Sequence, residues 1–517
     1  MLQVFLLPYM GLPLITLLIG VVILVIQKSF YKRNDGIPAD ILRRMGKTGR
    51  KLGKQELLYV YEIEFENNLL DSNAIFLESK VELTERIVVR SLEFLWKRHP
   101  MLRMKINSFV NNRCREDVYF FQEIGETPIL DFETENTNDW MQVLYDEFKR
   151  KFDIKTGPLW RVKMLPGAKQ ENGKFQHIFL FTFFHSIIDG TSIIHIYREF
   201  IENLEVLLSG SEPIVKSLPT LPSIEEIFAD ELRPSFTEKL ISIFRSANNY
   251  CFPQQPSNNQ TEISKDFVDA FKVNKPRSSR LYPIEFDENE TALIIKKSKN
   301  MGIRIHSIAT ATAAVALRRL MNKHSVKVGQ SFNLKTNNPV SLRNVPHKRI
   351  KNDSIGCMIL LGLNISASIP LNPTESDFWK LASQFQTKLQ NAINDGGHLR
   401  TKKQMDLCNV LSKEASIAAH QPREDWQRST DIVISNRGSH EVVPKSSEGK
   451  NIKFLKTFYG IGTCYHDYYC LMSMFLCTID GRLSWTLQYR SQLMAEDVAA
   501  DYCTMIKSVI AEYCHQS

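Results

Sequence analysis

The feature that most constrains this chain is a nearly continuous apolar run, residues 176–184 (QHIFLFTFF), that stops at His185. A stretch of strand length, this rich in phenylalanine, has to lie in a core. Asp189 and Gly190 follow four residues after the histidine as a turn signal, and Ser192 is a candidate helix N-cap. Ile193, Ile196, Tyr197, Phe200, Leu204 and Leu207 then recur at helical spacing. A titratable imidazole is thereby placed at the end of a buried strand, just ahead of a helix N-terminus. Imidazoles titrate near neutrality, so such a group can take a proton from a hydroxyl or an amine. A lone histidine on an apolar strand is more often a satisfied core residue. The turn and helix start that follow at once favour chemistry. Asp189 could orient His185 or could hold the loop through an ion pair; its spacing allows both.

At 517 residues the chain exceeds the size at which one core keeps growing, so two lobes are expected. Hydrophobic residues at 43% and charged residues at 24% are ordinary globular values and exclude wholesale disorder. The net charge of +8 is concentrated: residues 28–54 hold nine Lys/Arg against two acids, leaving the chain beyond them nearly neutral. No nucleic-acid partner is expected of such a body. Residues 1–27 carry no charged side chain, and 4–26 are long and apolar enough to cross a hydrocarbon core. They are read as a retained anchor: residues 1–27 a transmembrane helix, 28–54 a basic juxtamembrane segment, and the body cytosolic by the positive-inside rule. The expected setting is a single-pass protein of the endoplasmic reticulum membrane. Nine cysteines without framework spacing suit a reducing compartment.

The first lobe is assigned to 55–210. It has a strand over 57–65, a helix from Thr84 stopped by Pro100, and a helix over 139–152 before the histidine strand. Residues 211–285, rich in proline, read as a long crossover. The second lobe, 286–517, follows a strand at 281–286. It has an alanine-rich helix over 307–320, a helix capped by Thr374, a short strand at 431–435, and a hairpin turning at Asp480-Gly481.

Phe184-His185, Asp189 and Gly190 together resemble the H-x-x-x-D-G signature of the chloramphenicol-acetyltransferase-like, or condensation-domain, superfamily. The surroundings agree in order. Residues 98–103 (RHPMLR) are similar to the family's first-helix ending, and Phe152-Asp153 with 157–161 (GPLWR) to its strand entry. Residues 338–343 (NPVSLR) and 354–356 (SIG) fit second-lobe strands. Residues 435–438 (SNRG) resemble the S-N-x-G of the alcohol acetyltransferase branch. The likeness spans roughly 55–515. It implies an α/β (α+β) fold of two lobes, each a mixed sheet flanked by helices, with a tunnel between them and His185 midway. It further implies His185 as general base, Asp189 as a structural residue paired with Arg343, and Gly190 as room for the reacting carbonyl. Asn436 would lie near the site, as an oxyanion donor or as a turn residue. Phe184 stands where the condensation and wax-synthase branches carry a first histidine, and the plant branch's D-F-G-W-G loop is missing. Both point to the alcohol acetyltransferase branch.

The expected function is acyl-CoA-dependent O-acyl transfer to an alcohol, a lipophilic one given the anchor, by a monomer. Acyl-CoA is a co-substrate, and neither a cofactor nor a metal is expected. Cys464, His466, Asp467 and Cys470 match no zinc spacing, and Gly46-Lys47-Thr48 lacks the first glycine of a P-loop. The alternatives are a catalytically silent binding or scaffold protein on the same fold, and an N-acyltransferase or condensation enzyme with a carrier-bound donor.

Overall fold

The computed structural model describes residues 39–515 apart from 65–68, 112–115, 126, 240, 243–260, 327–328, 346–349, 352, 420–429, 444–449 and 463–469. The histidine strand, Phe175–Phe184, lies mid-sheet because it is apolar on both sides. It pairs antiparallel with Leu70–Ser79 on one side and Trp160–Met164 on the other. The sheet continues to Phe132–Thr134, joined in parallel, and at the opposite edge to Ile452–Gly462. That edge strand comes from the far end of the chain, so the first lobe's sheet is completed by residues of the second half. Helices Glu85–Arg98 and Gly190–Leu208 cover this sheet, with Phe181 edge-on to Tyr197 and Phe200.

The second lobe is built on a mixed sheet of six strands, in the order Ile359–Pro370, Ser331–Ser341, Ile432–His440, Met472–Ile479, Arg482–Arg490 and Ser279–Glu285. One face packs under helices Ile305–Lys323, Glu375–Asn394 and Glu496–Cys514. From the other face Phe475, Cys477 and Ile479 enter the first lobe's core. The period of two along Met472–Ile479 thus divides one strand between two cores. The hairpin at Asp480-Gly481 has positive φ at both positions, +48° and +83°, as a type I′ turn requires.

Several expectations are corrected. The fold class stands as a two-lobed α/β body without its transmembrane helix: among the described residues no helix is long and apolar enough to cross a membrane, and 4–26 lie outside them. The single-pass endoplasmic-reticulum localisation falls with that helix, as does the preference for a lipophilic acceptor. The strand expected over 57–65 is not present: Phe65 lies outside the described residues, and residues 57–64 belong to helix Lys54–Glu64, which buries Gln55, Glu56, Tyr59 and Val60 along one face. Its alternating Leu-Tyr-Val-Tyr pattern fits a strand equally well, and tertiary packing decides. Ser192 is not the helix N-cap: the helix starts at Gly190 and Asp189 caps it.

Part of the segment assigned to the juxtamembrane region folds onto the body. Ile41 and Met45 of helix Ala39–Met45 pack on Phe120, and Arg50 pairs with the buried Glu56.

Candidate active site

His185 opens a single 3₁₀ turn, His185–Ile187, where the histidine strand ends. Its ring is partly exposed and lies flat on the ring of Tyr59, with centroids 4.6 Å apart and planes 6° from parallel. Nδ1 is sealed from solvent without a hydrogen-bond partner among the described residues, which leaves Nε2 to meet a substrate. Tyr59 is buried, and burial, with the neighbouring Cys357 thiol, pushes its phenol well above its usual range. Burial likewise raises the Cys357 thiol that neighbours Tyr59, so the ring facing the imidazole and the thiol behind it stay neutral near pH 7.

Asp189 turns away from His185. Its Oδ1 accepts the Ser192 N–H at 2.8 Å; its Oδ2 accepts Arg343 Nε at 2.9 Å and the Met358 N–H at 3.0 Å. Arg343 is fully buried and spends its other donors on the carbonyls of Lys351 and Ser354, at 3.1 and 2.8 Å, and on Ser192 Oγ at 2.7 Å. One carboxylate therefore caps the helix and ties the first lobe to the second. Of the two roles that spacing allowed for Asp189, the geometry has the ion pair.

Gly190 provides room of a different kind from that expected. A Cβ there would sit 2.8 Å from Arg437 Cγ, so the space is filled by that arginine's arm. Arg437 Nη2 donates to both oxygens of Asp71 at 2.8 Å, Nη1 donates to Asn73 Oδ1 at 2.6 Å, and the guanidinium lies 3.5 Å over the Tyr459 ring. Burial opposes the charge, but Asp71 outweighs it and keeps the guanidinium protonated. Asn436, next in sequence, directs Oδ1 to its own Gly438 N–H at 2.8 Å, where strand Ile432–His440 bulges and Gly438 takes φ +92°. Its observed bond is the turn bond.

The other motif residues do packing work. Arg98 Nε and His99 Nε2 hold Glu199 at 2.7 and 2.5 Å and pin the first helix to the helix after the histidine. Burial works against the Glu199 charge, but hydrogen bonds from His195 and His99 prevail and hold that carboxyl well below its usual range. Trp160 Nε1 donates to the Leu102 carbonyl at 2.8 Å, and Arg161 pairs with the buried Glu147. Cys464, His466 and Asp467 lie outside the described residues.

Sequence reading missed Asp71, Asn73 and Tyr59. The first two sit at the start of a strand whose partner in the second lobe comes more than 300 residues later, and no local pattern signals that. Tyr59 falls within the strand expected over 57–65, and nothing in that pattern directs its ring to His185.

The sequence profile of the alcohol acetyltransferase family matches residues 103–456, about two-thirds of the chain. The chain belongs to the alcohol acetyltransferase family. The H-x-x-x-D-G residues and S-N-R-G strand of this family member are those described above. Among solved structures, a trichothecene 15-O-acetyltransferase from Fusarium sporotrichioides is similar, with TM-score 0.59 at 12% identity over 90% of this chain and 95% of that one. The epimerization domain from the third module of tyrocidine synthetase B is similar at TM-score 0.58 and 12% identity, over 91% and 98% of the two chains. These show a shared fold. Among curated proteins, tyrocidine synthase 3 of Brevibacillus parabrevis is 31% identical over 151 residues, or 29% of this chain. A linear gramicidin synthase from the same organism is 29% identical over 136 residues, or 25% of this chain. The matched stretch spans 2% of each of those two relatives.

Proposed function

We propose that this family member transfers an acyl group from acyl-CoA to the hydroxyl of an alcohol, with His185 as the general base. The observation that carries the reading is the division of labour at the turn. His185 keeps Nε2 available, while Asp189 is fully engaged in bracing the lobes. Nε2 removes the proton of the acceptor hydroxyl as its oxygen attacks the thioester carbonyl. The tetrahedral intermediate collapses, the C–S bond breaks, and the imidazolium returns the proton to the departing thiolate. An ester and a free thiol result, and the electrons balance without a redox partner. Tyr59 supports the step by facing the imidazole, and an aromatic face favours the cation that forms there.

General-base catalysis contributes typically ~10²–10⁴-fold, so His185→Ala should lose about that much turnover with its melting temperature kept. The test crosses short and long acyl-CoAs with an alcohol panel, reading thiol release and ester mass. Thiol release by the alanine variant at the wild-type rate would overturn the role of His185. The likeness to peptide synthetases favours, as a second reading, a carrier-tethered donor. Product from an acylated carrier domain and none from acyl-CoA would select it. Ligand binding without product from either donor would select the silent scaffold.

A further inference from the structure

We infer that Arg437 and Asp71 are a positioning pair for the His185 turn, fixing where the imidazole stands and how readily it takes a proton. The inference rests on the reading of His185 as the base.

The pair brackets the turn from both ends. Asp71 lies on strand Leu70–Ser79 directly opposite Phe183, two residues ahead of the histidine. The arm of Arg437, arriving from the second lobe, fills the space beside Gly190, five residues beyond the histidine. Their side chains are each only 4% exposed, and Asn73 steadies the carboxylate through Nδ2 to Asp71 Oδ1 at 3.0 Å. This contact is separate from the Asp189–Arg343 brace, which joins the first lobe to the turn that follows strand Ser331–Ser341 of the second. It also accounts for a glycine at 190, because any larger residue meets the arginine arm.

The charges matter as well as the geometry. Buried charge is poorly screened, so removing one member exposes the turn to the other. The titratable groups around Arg437 do not compensate. Burial holds Tyr197 and Tyr459 above their usual range and pushes Cys477 up to about 12, so all three stay neutral. His440 donates to the carbonyl of Arg437 and is lowered by burial. Beside His185 itself the Tyr59 phenol is neutral, and the Asp189 carboxylate is paired with Arg343.

Single substitutions should therefore move the acid limb of kcat/KM in opposite directions. Asp71→Asn leaves the guanidinium uncompensated, disfavours the imidazolium, and should shift the limb down by about half a pH unit or more. Arg437→Met leaves the carboxylate and should shift it up. Arg437→Lys keeps the charge, so its limb should stay near wild type while kcat falls, because a single nitrogen replaces the two that hold Asp71 and Asn73. If Arg437→Met does not fold, Asp71→Asn and Arg437→Lys decide alone. Limbs that stay put, or that move in the same direction, would overturn the inference while His185→Ala remains inactive. An active His185→Ala would instead remove the reading beneath it.

Discussion

Replacing Asp189 with asparagine changes one atom of the motif and tests what the carboxylate is for. Asp189 accepts three hydrogen bonds, one on Oδ1 and two on Oδ2, the latter including the fully buried Arg343. Asparagine offers a single oxygen. With that oxygen toward Arg343 and Met358, the Ser192 amide loses its cap, a cost of about 1 kcal/mol. With it toward Ser192, an NH₂ group faces the guanidinium donor. In both orientations Arg343 is left as a buried cation without a counter-charge, and breaking such a pair costs about 3–5 kcal/mol. Against a total stability of roughly 5–15 kcal/mol, that is a large fraction. For a chain of this length the melting temperature should fall by about 3–5 °C. The assay pairs thermal unfolding with turnover measured well below the lowered melt, where most of kcat should survive. The double variant Asp189→Leu with Arg343→Met removes both charges and should recover a good part of the loss. An unchanged melt with turnover reduced a hundredfold would refute the brace and make Asp189 a catalytic residue.

Gly190→Ala gains helix propensity but sets a Cβ 2.8 Å from Arg437 Cγ, whose guanidinium cannot swing without leaving Asp71. A net destabilisation of about 1–2 kcal/mol in chemical denaturation is expected. No loss would mean that the arm yields freely. Tyr59→Leu removes the ring lying on His185 and should lower kcat several-fold while KM holds, and Tyr59→Phe should keep the wild-type value; equal loss in both would implicate the hydroxyl instead. Stability should fall as pH drops. Burial pushes His177 down to about 4 from an ordinary value near 6.5. Its neutral form therefore stabilises the fold fully above pH ~6.5, and that contribution is lost progressively toward pH ~4. His99, His306, His398 and His440 are lowered in the same direction and by burial too. His177→Gln should flatten the slope of melting temperature between these pH values, and an unaltered slope would discount His177.

Local signals in the sequence were reliable where one segment carries its own instruction. The histidine strand is apolar on both faces, the Asp480-Gly481 pair can hardly be anything but a hairpin turn, and Thr374 forms its capping box with Asp377. They failed where two segments share the instruction. Residues 57–65 satisfy strand and helix periods alike until the body supplies the surface that buries Tyr59 and Val60. Arg437 sits inside a recognised motif, yet its partners Asp71 and Asn73 are invisible from there. Asp189 was ambiguous for the same reason: its meaning depends on an arginine 154 residues away.

The strand shared across the lobes has a consequence for how the chain is made. Leu70 is the register partner of Gly462, and Ser79 of Ile452. At a synthesis rate of about 5–20 residues per second, the earlier strand waits roughly 20–80 seconds for the later one to emerge. Through that interval Leu70–Ser79, almost wholly buried in the finished protein, presents an open hydrogen-bonding edge to the cell. The first lobe therefore cannot finish folding on the ribosome ahead of the second. Halves expressed separately should aggregate through that edge and regain solubility only when produced together.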